Sequence, residues 1–324
     1  MTKAIALFSG GLDSILAVKV AQLQNIEVTG LSFETPFFNA KKAHAAARQI
    51  NLPLLVENIT SEHLVMLKAP RYGYGKNLNP CIDCHTLMLN IAGKKMEETG
   101  ADFIITGEVL GQRPMSQGKQ SLFVVAKNSG YADYILRPLS AKLLEPIKAE
   151  REGKIDRSLL LAISGRGRKE QIQLAADYGI KDYAPPAGGC LLTDVMFTRR
   201  LRDLFIHDEG KNIRDYELLK YGRHFRISDD CKIIVGRNSA DNDALQSLTT
   251  DDDCVLFMAG FPGPQVIMPY GGNESALQTA ASLCVRYSDA PAAGQAKVIW
   301  QRGKESATIS AEPAAKEDCE RWII

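Results

Sequence analysis

The sequence lacks any apolar run approaching the roughly 18 to 20 residues that a membrane span requires. Its start, MTKAIALFSGG, has no cationic stretch leading into an apolar segment and a cleavage site. Such a chain is expected in the cytoplasm, with no membrane partner. A disulfide framework is missing too: seven cysteines, at 81, 84, 190, 231, 254, 284 and 319, are odd in number and widely scattered, so reduced thiols are expected. Charge of one sign is also absent, with 39 Lys and Arg against 38 Asp and Glu. That balance hides a split. Residues 1–225 carry 30 basic and 24 acidic side chains, whereas residues 226–324 carry 9 and 14, so a polyanion is expected to meet the first part.

What is present is a globular pattern. With 324 residues, 45% of them hydrophobic, the chain can bury one or two cores, and disorder as the main state is excluded. An apolar run at 3–8 (KAIALF) stops at Ser9-Gly10-Gly11, and 14–24 (SILAVKVAQLQ) has helical spacing. The alternation continues with strands at 26–33, 53–58 and 101–106 and helices at 39–50 and 84–99. This predicts an α/β fold with a parallel sheet covered on both faces, whose ligands bind beyond the carboxyl ends of its strands. Near residue 185 the regime changes at Ala184-Pro185-Pro186-Ala187-Gly188-Gly189, a stretch that cannot be a continuous helix. The expected division is a nucleotide-binding domain at 1–185, a linker at 186–225 holding Cys190 and a helix at 193–206, and a smaller α+β domain at 226–324. That last domain shows short strands at 232–235 and 254–258, a helix at 274–286 and a polar, poorly ordered stretch at 303–318.

Ser9-Gly10-Gly11-Leu12-Asp13-Ser14 follows the first strand and opens the first helix, so backbone N–H groups and a helix N-terminus converge on an anion site. The glycines let the backbone wrap a phosphate, and the Ser9 and Ser14 hydroxyls add donors. Asp13 cannot bind an anion directly, and its carboxylate makes sense as a Mg²⁺ ligand. The string SGGLDS resembles the pyrophosphate-binding loop of the ATP pyrophosphatase (PP-loop) superfamily. The resemblance implies an enzyme that cleaves ATP between its α and β phosphates, adenylates a substrate oxygen and lets a nucleophile displace AMP. Ser32 and Phe33, ending the second strand, would then receive adenine, and Thr106-Gly107, ending a later one, would contact AMP.

Asn79-Pro80-Cys81-Ile82-Asp83-Cys84-His85 places a C-x-x-C pair where a helix begins, a position that favours thiolate. Cys190, after Gly188-Gly189, is a third candidate. Three thiolates suit an iron–sulfur cluster with one open iron, or a zinc site with an open position. A redox pair plus a packed cysteine would leave the same sequence trace, and an adjacent His85 serves as a fourth ligand less readily than as a local hydrogen-bond partner. NPCIDCH is similar to the NPCxxCN string of tRNA 2-thiouridylases. Thr106-Gly107-Glu108-Val109-Leu110-Gly111-Gln112 with Ser116-Gln117 resembles the TGExLGQxxSQ string of tRNA 4-thiouridine synthases, as does the LRPL at 136–139. These resemblances imply an ATP-dependent tRNA sulfurtransferase that makes 4-thiouridine. A [4Fe-4S] cluster on Cys81, Cys84 and Cys190 would carry the sulfur, supplied by a cysteine desulfurase or free sulfide. The alternatives are 2-thiolation, adenylation of a small molecule, or RNA binding without catalysis; a homodimer is allowed.

Arg166, Arg168 and Lys169, with Arg199 and Arg200, form basic clusters suited to RNA phosphates, or to solvated helix faces. Residues 232–243, KIIVGRNSADND, resemble the VGRN-containing string of the NFACT RNA-binding domain. The acidic balance of that half opposes the reading unless Arg223, His224, Arg226 and Arg237 form one basic face. No THUMP domain is recognisable before the ATP loop, unlike standard 4-thiouridine synthases.

Overall fold

The computed structural model describes every residue except Pro114 and residues 184–188. The segment expected to break helix at 184–189 therefore falls almost wholly outside the described residues. The chain forms two compact units, Met1–Thr193 and Asp194–Ile324. The expected linker is thus divided: Cys190 belongs to the first unit, while the helix after it opens the second.

In the first unit, β1 (Lys3–Leu7) leads through the glycine turn into α1 (Leu12–Gln22), followed by β2 (Glu27–Glu34), α2 (Lys41–Gln49), β3 (Leu54–Asn58) and α3 (Thr60–Lys68). Then come α4 (Cys81–Thr99), β4 (Phe103–Thr106), α5 (Lys119–Ser129), the two-residue β5 (Ile135–Leu136), the single turn α6 (Lys148–Arg151) and α7 (Lys169–Asp177). The sheet order is β3-β2-β1-β4-β5, parallel throughout. The chain first builds outward from β1 through β2 and β3, then returns to lay β4 on the other side of β1. The gap between β1 and β4 is therefore the switch point at which such sheets bind ligands.

Register fixes what stands there. Leu7 pairs with Leu31 on β2 and with Thr106 on β4, so the Ser9–Ser14 loop, Ser32 and Thr106-Gly107 leave the sheet at one edge. Near-continuous apolar strands such as AIAL and FIIT are what burial on both faces demands. α1 is apolar nearly all round and buries Ile15, Leu16, Val18 and Val20. That burial anchors the helix whose N-terminus faces the site.

The second unit begins with α8 (Val195–Ile206) and α9 (Ile213–Leu218), then β6 (Arg223–Ser228), β7 (Cys231–Val235), α10 (Ser239–Leu248), β8 (Cys254–Met258) and β9 (Val266–Met268). It ends with α11 (Glu274–Arg286), β10 (Ala296–Arg302), β11 (Glu305–Ala311) and α12 (Lys316–Trp322). Its strands form an antiparallel sheet, β11-β10-β8-β9-β7-β6, with α11 packed over a core that includes Cys231, Cys254, Cys284 and Cys319. Those four cysteines are core residues, as expected. The stretch 303–318 is ordered, contrary to its polarity, because β11 pairs with β10 along its whole length. Backbone hydrogen bonds to β10 hold the polar strand in place.

Candidate functional site

The glycine turn is built for close approach. Gly10 has φ +73, and a Cβ there would lie 2.3 Å from the Lys42 carbonyl oxygen of α2. Gly11 is the N-cap of α1 and supplies no side-chain cap, so the first-turn N–H groups are left open to a ligand. The Ser14 hydroxyl donates to the Gly11 carbonyl at 2.8 Å, and the Ser9 hydroxyl accepts from the Gly11 N–H at 3.3 Å. Leu12 points away from the site and is core. Gln112 Nε2 donates to Asp13 Oδ2 at 2.9 Å, while Asp13 Oδ1 is buried without a hydrogen-bond partner. An orphaned carboxylate oxygen beside a phosphate-type loop suits a hard cation, so the surroundings of Asp13 fit the expected Mg²⁺ ligand.

Gly107 seats β4 against this turn: a Cβ on it would lie 2.5 Å from the Ser14 nitrogen and 2.7 Å from the Asp13 carbonyl carbon. Any larger residue would lever the loop away from the strand. Thr106 is buried, and its hydroxyl accepts from the Glu108 N–H at 2.9 Å. Ser32 sits at the same sheet edge. The Phe33 ring is buried in the core that also contains Leu89 and Ile104, so its side chain supports the sheet and only its backbone is left to meet a base.

Next to Gly107 stands a buried ion-pair network that the motif strings did not reveal. Glu108 Oε2 accepts from Arg137 Nε at 2.9 Å, and Glu108 Oε1 lies 2.9 Å from His85 Nδ1. Burial alone would raise the Glu108 carboxyl, but the Arg137 charge and the His85 hydrogen bond overcome it and hold the group down at about 2. His85 is therefore spent on Glu108, in keeping with its expected local role. The glutamate ties β4 to the first turn of α4, which carries Cys81 and Cys84.

The Cys84 thiol is pushed up strongly by burial, then by the nearby charges of Cys190, Cys81 and Asp83. Cys190 is raised to about 11, again by burial first, with Cys81 adding to it. Such mutual effects bring Cys190 within electrostatic reach of Cys81 and Cys84, although it is remote in sequence. Asn79 Nδ2 donates to Cys81 Sγ at 3.4 Å, and the Leu191 N–H donates to the Phe37 carbonyl at 3.0 Å, fixing the Cys190 segment near the end of β2. His63 Nε2 lies 3.6 Å from Cys84 Sγ, with its ring 5.4 Å from those of both Phe37 and Phe38. Burial lowers His63 to about 4, so it is neutral. Among the described residues no three His, Cys, Asp or Glu side chains converge on a single metal ion.

The basic residues divide. Arg166 and Lys169 are exposed, but Arg168 Nη2 lies 3.9 Å from Asp13 Oδ2, at the glycine turn. In the second unit Arg199 is exposed, whereas Arg200 is buried and donates to the Leu219 and Gly222 carbonyls at 2.9 and 3.0 Å. Arg200 is thus a structural brace, not an RNA contact. The expected basic face also fails: His224 is fully buried, Arg226 is paired with Asp203 and Glu209, and Arg237 with Asp241. The VGRN string has a structural meaning here, since Asn238 caps α10 by accepting the Asp241 N–H at 2.9 Å.

A parallel sheet with an open glycine turn at its switch point, beside a carboxylate with an unpartnered oxygen, is the architecture of a nucleotide-phosphate-binding domain. Residues 1–148 match the family model described as "Thiamine biosynthesis protein (ThiI)", and residues 222–323 match the "NFACT protein RNA binding domain" model. A tRNA-specific 2-thiouridylase MnmA of Xanthobacter autotrophicus is 24% identical over 45% of this chain and 42% of its own length. A probable tRNA sulfurtransferase of Staphylococcus epidermidis is 27% identical over 48% of this chain and 39% of its own. The chain thus spans about two fifths of the length of either relative. A crystal structure of a 4-thiouridine synthetase–RNA complex with bound ATP superposes with a TM-score of 0.41 and 22% identity, covering 59% of this chain and 44% of that one. The first 148 residues are thus similar to the ThiI family and residues 222–323 to the NFACT RNA-binding domain. Among the described residues no helix is long and apolar enough to cross a membrane.

Proposed function

We propose that the chain is an ATP-dependent tRNA sulfurtransferase that adenylates a uridine carbonyl and exchanges its oxygen for sulfur, yielding 4-thiouridine. The observation carrying this reading is the tripeptide Thr106-Gly107-Glu108, whose glycine packs on Asp13–Ser14 and whose glutamate holds His85, the neighbour of Cys84. A phosphate loop and a trio of thiols are linked through three residues. Activation and sulfur delivery need that proximity, because the adenylated base must meet its nucleophile before water does.

A uridine carbonyl oxygen leaves poorly as hydroxide. The oxygen attacks the α-phosphorus of ATP, the bond to the bridging oxygen breaks, and its electron pair departs with pyrophosphate. The open first-turn N–H groups of α1 and the Ser9 hydroxyl would balance the growing charge, and Asp13 would hold a Mg²⁺ that supplies further positive charge to the phosphates. Sulfur then adds at the carbonyl carbon and AMP is expelled. When bound, a [4Fe-4S] cluster would supply an iron without a protein ligand on which hydrosulfide can be carried. Cys81, Cys84 and Cys190 would hold it. The mutual electrostatic influence of these thiols supports that role. The sulfur comes from a cysteine desulfurase or free sulfide, and Arg166, Lys169 and Arg199 are the exposed cations for tRNA phosphates.

A second reading, 2-thiolation, is favoured by NPCIDC and by the 2-thiouridylase relatives. Anaerobic reaction of the purified chain with tRNA, ATP and sulfide, followed by nucleoside mass spectrometry, separates the two. 4-Thiouridine with stoichiometric pyrophosphate supports the proposal, 2-thiouridine selects the second reading, and no pyrophosphate at all refutes both. Cys81→Ala, Cys84→Ala and Cys190→Ala should each abolish thiolation and the brown chromophore, while Asp13→Ala should keep iron and lose turnover. Activity retained in all three cysteine variants would remove the cluster from the account.

A further inference from the structure

The run Ser164-Gly165-Arg166-Gly167-Arg168-Lys169 reads as one basic cluster, but its two arginines stand in different surroundings. The segment is pinned to the strand-end loop after β4: the Gly165 N–H donates to the Leu110 carbonyl at 2.7 Å, and Ser164 forms a bridge with Leu110. Gly165 makes this possible with φ +84, a left-handed conformation that glycine adopts freely. The pinning leaves Arg166 in solvent and turns Arg168, the N-cap residue of α7, toward the glycine turn. α7 itself packs against α1.

Arg168 has unspent capacity there. Its side chain is only 17% exposed, and its nearest carboxylate oxygen, Asp13 Oδ2, is 3.9 Å from Nη2, too far for a hydrogen bond. Arg168 Nε is buried without a partner, and so is Asp13 Oδ1. Gln171, one turn into α7, is fully buried; its Nε2 reaches Gln112 Oε1 at 3.5 Å, while its own Oε1 is unpartnered. Gln112 in turn holds Asp13. Unsatisfied polar atoms are rare in folded interiors, and a cluster of them around one loop marks a place completed by a ligand. An arginine beside the open N-terminus of α1 calls for an anion, and a guanidinium presents a fork that matches two phosphate oxygens. Asp13, meanwhile, remains available for the cation that such an anion brings.

We propose that Arg168 binds the β,γ-phosphates of ATP and the departing pyrophosphate, and takes no part in RNA binding. This rests on the ATP reading of the glycine turn given above. As the α-phosphorus–oxygen bond breaks, the electron pair moves onto the former α,β-bridging oxygen, which leaves as a terminal oxygen of pyrophosphate. Arg168 then gains a stronger partner in the product than in the ground state, which is the condition for lowering the barrier. AMP, lacking both outer phosphates, would not engage it.

The test uses the full chain with Arg168→Gln, Arg168→Lys and, for contrast, Arg166→Gln. Calorimetry measures binding of Mg·ATP, pyrophosphate and AMP, and filter binding measures tRNA affinity across salt. Arg168→Gln should weaken Mg·ATP and pyrophosphate at least tenfold, leaving AMP, tRNA affinity and its salt slope unchanged. Arg168→Lys, which keeps the charge without the fork, should recover part of the loss and provides the test if the glutamine variant fails to fold. Arg166→Gln should weaken tRNA alone and lower the salt slope by about one. Pyrophosphate affinity within twofold of wild type in both Arg168 variants, or a loss confined to tRNA, overturns the assignment alone. A wild-type chain that binds neither Mg·ATP nor pyrophosphate overturns the ATP reading and this assignment with it.

Discussion

Replacing Arg137 by Met tests whether the buried network beside the thiols organises the first unit. In the wild type, Glu108 is 6% exposed and its carboxyl is held at about 2, against an ordinary 4.5. That difference favours the ionised folded form by about 3 kcal/mol at neutral pH. The sign follows from the direction: this contribution is fully present above pH 4.5 and is lost as the pH falls toward 2. Arg137→Met leaves the carboxylate buried with His85 as its remaining partner, and breaking such a pair costs about 3 to 5 kcal/mol. Both tryptophans, Trp300 and Trp322, lie in the second unit, so urea unfolding can be read twice, by far-UV circular dichroism for the whole chain and by tryptophan fluorescence for the second unit. The transition attributed to the first unit should move to lower urea at pH 7 while the fluorescence midpoint stays fixed. The deficit should shrink toward pH 3, where the Glu108 carboxyl of the variant, no longer held down by Arg137, takes up a proton and needs no counter-charge. The double variant Glu108→Leu/Arg137→Met should recover much of the loss, because an apolar pair of similar volume needs no solvation. A deficit below 1 kcal/mol, or one equal at pH 7 and pH 3, would refute the electrostatic account.

Gly107→Ala should lower nucleotide affinity at least tenfold in calorimetry, since its methyl group would lie 2.5 Å from the Ser14 nitrogen and displace the loop. Gly10→Ala combines a forced positive φ with a 2.3 Å approach to Lys42, and thermal melting should show a loss of about 2 kcal/mol or more. Arg226→Gln should destabilise the second unit by about 2 kcal/mol, read by tryptophan fluorescence. Below its melting point it should leave tRNA affinity unchanged, because Arg226 is committed to Asp203 and Glu209. Loss of tRNA binding by folded Arg226→Gln would restore it to an RNA-contacting face.

The sheet of the first unit was legible in the sequence because apolar runs, a glycine turn and helical spacing alternate there without ambiguity. Strand and helix ends differ by only a few residues from the periodicity, as at 26–33 against Glu27–Glu34. What periodicity could not supply was partnership. Arg168 and Arg166 look alike in GRGRK, and only the Leu110–Gly165 contact distinguishes them. Arg226 and Arg237 looked free because Asp203 and Glu209 lie on other segments and Asp241 on a helix that also needs its cap. Cys190 was identifiable as a candidate, but its approach to Cys81 and Cys84 depends on the Leu191–Phe37 contact, a long-range pairing with no local signature.

The acidic balance of residues 226–324 is also better understood through partnership than through net charge. Asp241 accepts the Gly222 N–H and pairs with Arg237, and Asp253 pairs with Arg214 while accepting the Thr250 N–H. Such carboxylates complete backbone turns inside the unit, so they project little field outward. A summed charge counts them at full weight, although an RNA phosphate meets chiefly the unpaired exposed groups. In this unit the exposed cations include Arg199 and Arg202 on α8 and Lys297 and Lys304 around the β10–β11 hairpin. Pairing thus removes carboxylates such as Asp241 and Asp253 from the outward field, while exposed ones such as Asp230, Asp243, Asp251 and Asp252 keep part of the surface acidic.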